Sequence, residues 1–241
     1  MARGRCLFER PHHRRIAALL SALDAELLRT HHCLFGGGTL IALLHGEYRE
    51  SRDVDFLVSD LTCYRALRGV VTQQGIGGLF RTPVAALREV RMDQYGIRTL
   101  IEVEAVPIKF EIVLEARIAL DGPMPSAAVC GVSALSPVDQ VAEKLLANAD
   151  RWADDAVDAR DLIDLAMMLP DGRIPRAALD KASGAYSSIE ADLDKAKAHI
   201  ERPGRLARCM THLQMTLPPA LLLDRIRRLR PAPPSRRRGA P

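Results

Sequence analysis

Aromatic residues are scarce in this chain of 241 residues: five Phe, four Tyr and one Trp, or 4%. Leu, Ile, Val and Ala must therefore fill the core of a sequence that is 48% hydrophobic, an ordinary share for a globular protein. Cysteine is also sparse. The five, at positions 6, 33, 63, 130 and 209, include no CxxC pair. Neither a disulfide framework nor a zinc site is indicated, and reduced thiols are expected. The seven histidines show no metal-ligand spacing. No apolar run approaches the roughly 20 residues that a membrane-spanning helix needs. The opening MARGRCLFERPHHRR also lacks the apolar centre of a signal peptide, so a soluble cytoplasmic protein is the expectation. Two nucleotide signatures are missing as well. There is no G-x-G-x-x-G followed by an acid about 20 positions on, and no G-x-x-x-x-G-K-[ST]. The net charge of +4 is modest, with much of the arginine near the two ends.

What is present falls into two halves. Apolar spacing predicts an amphipathic helix over residues 13–31, and CLFGGG reads as a short buried strand ending in a glycine turn. A helix is expected to begin at Thr39, a strand at DVDFLVS, and a further helix near 60–75 with Asp60 as its N-cap. The stretch GIGGLF reads as a turn. A hairpin is predicted with strands of about 98–103 and 107–114. From Ser136, a good N-cap with Pro137 behind it, the pattern becomes helical. The expected organisation is an α/β domain over 1–135, a helical domain over 136–230, and a disordered basic tail over 231–241.

The chemistry concentrates in FGGGTLIALLHGEYRESRDVDFLVSD, Phe35 to Asp60. Residues i and i+2 of a strand share a face, so Asp53 and Asp55 project side by side. Two carboxylates this close repel, and a divalent cation such as Mg²⁺ or Mn²⁺ relieves the conflict. A third acid on a neighbouring strand would complete a metal site for phosphoryl or nucleotidyl transfer. Glu111, in PIKFEIVLE, is the best candidate, with Lys109 on its face; Glu102 and Glu104 are the alternatives. Gly37 and Gly38 would let phosphate approach backbone N–H groups at a helix N-terminus, where the dipole favours an anion. The Thr39 hydroxyl adds a donor, and Arg49 and Ser51 could contact phosphate or brace the carboxylates.

Taken together, the G-G-[ST], the apolar helix and the R-x-S-x-D-[LIV]-D run resemble the nucleotidyltransferase superfamily that includes DNA polymerase β. More narrowly, they resemble its AbiEii/AbiGii branch of abortive-infection and toxin–antitoxin proteins. The helical half carries a second point of likeness in Lys144, Arg151, Arg160, Asp161 and Asp164. The resemblance covers roughly residues 30–170. It implies an α+β polymerase-β-like domain with a small mixed sheet, followed by an all-helical domain. It also implies an NTP substrate, a metal on Asp53, Asp55 and the third acid, and a nucleotide cleft lined by Lys144, Arg151 and the helix of Asp161 and Asp164; spacing leaves open which of the two acids is functional and whether both instead pair with Arg151 and Arg160 as a structural network. Some relatives modify the acceptor end of tRNA as toxins, so an RNA acceptor and an antitoxin partner are further implications. Two alternatives stay open: a catalytically idle binding module, and an enzyme acting on a small molecule.

Overall fold

The computed structural model describes residues 8–233. The chain opens with two helices, α1 (Pro11–Ala22) and α2 (Ala25–Thr30), where one had been expected. The break has a local cause. Leu23 is extended, and the Asp24 carboxylate accepts from the Glu26 and Leu27 N–H groups, both at 3.1 Å, so it caps a new helix. Next come β1 (Leu34–Gly36), α3 (Gly37–Leu44), β2 (Val54–Val58) and α4 (Leu61–Gln74). Helix α3 starts two residues before the expected Thr39, on the glycines themselves. Asp60 caps α4 as predicted, accepting from Cys63 N at 2.7 Å. The stretch expected as a turn is a 3₁₀ helix over Ile76–Leu79.

Short strands β3 (Ala85–Ala86) and β4 (Arg91–Met92) precede the hairpin of β5 (Gly96–Val103) and β6 (Val106–Leu114). Both hairpin strands are slightly longer than predicted. They meet in a two-residue turn, where Glu104 and Ala105 both have positive φ, the backbone that matches strand twist in tight hairpins. The main sheet runs β1-β2-β6-β5-β3, with β4 also on β5. Strand β2 is parallel to β6 and antiparallel to β1. Its mixed character agrees with the expected α+β class. A small hairpin, β7 (Ala128–Val129) and β8 (Val132–Ser133), lies within the predicted connector.

The core of this sheet uses the scarce aromatics economically. Phe35, Phe56, Phe110 and Phe80 form a chain of rings with centroids 5.6–5.8 Å apart. Val54, Phe56 and Val58 are buried on one face of β2, while Asp53 and Asp55 alternate to the other. The pleat thus separates the oily side from the charged one.

The remaining helices are α5 (Pro137–Arg151), α6 (Arg160–Met168), α7 (Arg176–Ala185), α8 (Ile189–Ile200), α9 (Arg205–His212) and α10 (Pro219–Arg228). Ser136 starts α5 reciprocally: its hydroxyl accepts from Asp139 N at 3.0 Å and donates to the Asp139 carboxylate at 2.9 Å. Strand β9 (Arg173–Ile174) pairs in parallel with β10 (Arg230–Pro231), and Ala232 N donates to Ile174 O. Pro231 and Ala232 are therefore tied down, a correction to the tail expected to be disordered from residue 231. The rest of that tail, from 234, lies outside the described residues.

The chain divides into two compact units. The first runs to Gln140 and takes in Leu213–Thr216; the second covers Val141–His212 and resumes at Leu217. Among the described residues no helix is long and apolar enough to cross a membrane. Cys33, Cys63 and Cys209 are free thiols, whereas Cys130 is disulfide-bonded, which departs from the expectation of reduced cysteines throughout.

Candidate active site

Strand register builds the site. Gly36 of β1 lies opposite Asp55 of β2, Asp55 lies beside Glu111 of β6, and Glu111 lies opposite Arg98 of β5. One row across the sheet therefore carries a glycine, two acids and a cation. The glycine turn fits against this row. Gly37 has φ +69°, and a Cβ added there would overlap the Asp55 carboxylate. At Gly36, a Cβ would collide with Leu57, which follows Asp55 on the same face, and with Leu135. Gly37 is needed because the Asp55 side chain lies directly on its backbone, at the N-terminus of α3.

A second layer fixes the loop that delivers Asp53. The Thr39 hydroxyl is buried. It donates to the Asp53 carbonyl at 2.5 Å and lies 2.8 Å from Ser51 Oγ. Ser51 N–H donates to His13 Nε2 at 3.1 Å, and His13 Nδ1 lies 2.7 Å from Glu47 Oε1. Glu47 also accepts from the N–H groups of Glu9 and Arg10. Arg49 is buried too, with its guanidinium 5.9 Å from the centre of the Tyr48 ring and Nη1 donating to Glu50 O. Thr39, Arg49 and Ser51 thus act within the loop as braces.

His13 was not singled out by the sequence, and its role depends on its protonation state. An Nε2 that accepts from Ser51 N–H requires the neutral ring with its proton on Nδ1. Burial lowers the His13 pKa, and the Glu47 hydrogen bond only partly opposes this. The unfolded chain therefore binds a proton near pH 6.5 that the folded chain resists, so stability falls as pH drops below that point. Glu47 shifts downward: burial pushes it up, but the two backbone N–H groups and His13 outweigh this. Its contribution is lost only at lower pH, below the ordinary carboxylate range. Melting temperatures between pH 7.5 and 5.5 should fall for the wild type, and a His13→Gln variant should lack that component. Parallel curves for the two would remove His13 as the cause.

Glu111 has partners that the sequence showed only in part. Lys109 Nζ is 2.6 Å from Oε2, and Arg98 Nε is 3.2 Å from Oε1. Arg98 also reaches Asp93 at 3.3 Å. Among the described residues no group of three His, Cys, Asp or Glu side chains is placed to hold a metal ion. Glu111, the expected third ligand, stands in the expected row beside Asp55, with its charge answered by two cations. The alternatives are further removed. Glu102 is exposed, and Glu104 is in the hairpin turn with Arg15.

In the second unit, the helical signature closes on itself. Lys144 is buried, with Nζ 2.8 Å from Asp161 and 2.7 Å from Asp164. Arg151, two turns after Lys144, grips Asp161 through Nε at 2.7 Å and Nη2 at 3.0 Å. Burial would raise the Asp161 pKa, but Lys144 and Arg151 hold it well below the usual range. Asp164 is also fully buried. The ring of Trp152 meets His199 edge-on, with centroids 5.7 Å apart.

Comparison with known proteins gives the family. The family described as nucleotidyl transferase AbiEii toxin of a type IV toxin–antitoxin system matches residues 18–235. The chain belongs to that family. This AbiEii family member is thus a nucleotidyltransferase of the toxin class, and the class implies an antitoxin partner and a nucleotide substrate. Among solved structures it is similar to a candidate nucleotidyltransferase from H. pylori, at 17% identity and TM-score 0.50, over 90% of this chain and 92% of that one. It is also similar to JHP933 from Helicobacter pylori, at 16% identity and TM-score 0.50, over 92% and 93%. At these identities the likeness concerns the fold. Among curated proteins nothing matches.

For the AbiEii chain, the structure brings Gly37, Asp53, Asp55 and Glu111 of the first unit together, and Lys144, Arg151 and Asp161 of the second unit with one another. Gly38 lies in the first turn of α3. Sequence reasoning missed Gly36, Arg98 and His13. The first two follow from strand register. His13 is one of an adjacent pair of histidines in an amphipathic helix and gives no separate signal.

Proposed function

We propose that this AbiEii protein transfers a nucleoside monophosphate from an NTP to a hydroxyl of RNA, with the acceptor end of tRNA the first candidate. The acceptor hydroxyl gives up its proton to solvent as its oxygen bonds the α-phosphorus, the bridge to the β-phosphate breaks, and pyrophosphate leaves. One observation carries the reading. The Asp55 carboxylate, next to Asp53, rests on the Gly37 backbone at the start of α3. A seat for a cation and a seat for phosphate are thereby adjacent.

Asp53 and Asp55 offer hard oxygen ligands, which suit Mg²⁺ or Mn²⁺. We leave Glu111 out of that pair because Lys109 and Arg98 hold its oxygens. When bound, the ion would supply charge neutralisation at the phosphates. The chain's own groups do the rest. Backbone N–H groups at Gly37 and Gly38 receive phosphate oxygens. Thr39, Ser51 and Arg49 hold the Asp53 loop, and Arg98 and Lys109 keep positive charge in the carboxylate row. Lys144, Arg151 and Asp161 serve in this reading as a buried scaffold of the helical unit.

The test is incubation of the full chain with each α-labelled NTP, total RNA and Mg²⁺ or Mn²⁺. Label should enter RNA with at least one NTP, and EDTA should stop it. No incorporation with any of the four NTPs and either ion would overturn the proposal. Label found only in small molecules would move the acceptor out of RNA.

A further inference from the structure

The first unit carries a second concave feature that the carboxylate row does not use. A half-open cavity of about 590 Å³ lies between α4 and the turn joining β4 to β5. That volume lies within the range of small-ligand sites. Leu61, Arg65 and Arg68 line it from α4, Gln94 and Tyr95 from the turn, and Leu114 from the end of β6. Leu114 continues the face of Phe110 and Ile112, so this cavity opens away from the face that carries Asp55 and Glu111.

Three observations point to its ligand. Tyr95 is 62% exposed, in a chain whose other described aromatics are mostly inside, and Leu61 is 46% exposed. The backbone beneath the ring is held: Tyr95 N–H donates to Asp93 Oδ1 at 2.7 Å, and Tyr95 O accepts from Leu114 N at 2.9 Å. Arg65 and Arg68 lie three residues apart on α4 and form no ion pair among the described residues, where the Arg68 Nε is buried without an acceptor. Finally, among the described residues no carboxylate lines the cavity. The nearest on the turn, Asp93, is taken by the Tyr95 and Gly96 N–H groups and by Arg98. Asp60 is occupied in capping α4.

We propose that this groove binds single-stranded nucleic acid, with a base stacked on Tyr95 and the flanking phosphates on Arg65 and Arg68. An exposed ring beside unpaired cations is the combination that sequence-tolerant single-strand binding uses. An acidic peptide would answer the arginines equally well but gives no reason for a flat aromatic surface. The proposal goes beyond the transfer reaction and does not depend on it, because binding here needs neither Asp53 nor Asp55.

The experiment measures anisotropy of a labelled 12-nucleotide single-stranded RNA of mixed sequence with the full chain, from 50 to 200 mM KCl. Tyr95→Ala should weaken binding about 5- to 140-fold, the equivalent of one lost stack, with the salt slope unchanged. Tyr95→Phe should bind like the wild type. Arg65→Gln with Arg68→Gln should weaken binding and lower the salt slope by about 1.4, for two phosphates of a single strand. Binding should need no NTP and should be unchanged by EDTA, which separates this groove from the transfer site. Melting curves check that these surface variants remain folded. Affinities within twofold for wild type, Tyr95→Ala and the double arginine variant would overturn the proposal. So would a groove that binds poly-glutamate and loses it in the arginine variant while RNA binding is unaffected; that result would make it a protein-docking surface.

Discussion

Asp55→Asn should abolish label transfer, by about 10³-fold or more, without unfolding the protein. The expected size follows from chemistry. A metal-bound phosphate site contributes several kcal/mol to the barrier, and each 1.36 kcal/mol is a factor of ten. Asparagine keeps the shape against Gly37 and changes only the charge, so the variant should still melt cooperatively as a folded protein. Transfer assays and thermal melts on the same preparation give both readings. Activity within tenfold of wild type would remove Asp55 from the reaction. Glu111→Gln should behave differently, because it frees Lys109 and Arg98 from their shared partner; the loss there is one of local order as well as charge.

The second large effect concerns stability. Lys144→Met should cost about 3–5 kcal/mol, the usual penalty for breaking a buried ion pair from one side. Asp161 retains Arg151, but Asp164 is fully buried and loses its pair with the Lys144 ammonium. Denaturant midpoints of wild type and variant measure this directly. The same measurement decides between two roles. A lysine that served the nucleotide would cost activity with little stability, so a stability change under about 1 kcal/mol alongside lost transfer would overturn the scaffold assignment.

Much of this was legible in the residues because strands obey simple rules. Alternation alone placed Asp53 and Asp55 on one side and Val54 and Phe56 on the other. The glycines at the start of α3 and the place of Glu111 on a neighbouring strand were read from spacing. Arg98 lay within reach of the same reasoning: once the hairpin turns at Glu104–Ala105, the register sets Arg98 opposite Glu111. What failed was context at longer range. The amphipathic period over 13–31 runs through Asp24 without interruption, and it shows neither the cap that Asp24 forms nor its tertiary bonds to Leu79 O and Arg81. The buried state of Lys144 was hidden for a related reason. Its spacing to Arg151 shows a shared helix face, but whether that face meets water or two aspartates is decided by α6.

The return of Leu213–Thr216 to the first unit has a consequence for synthesis on the ribosome. Glu50 N–H donates to Leu213 O, and Arg10 Nη2 donates to Gln214 O; both donors belong to the segments that hold the Asp53 loop. A nascent chain that has released everything through Gln140 still lacks these acceptors. At about 5–20 residues per second, they emerge roughly 4–15 s later, after Val141–His212 of the second unit. The loop that delivers Asp53 is therefore among the last parts of the first unit to be secured, although it is encoded among the earliest.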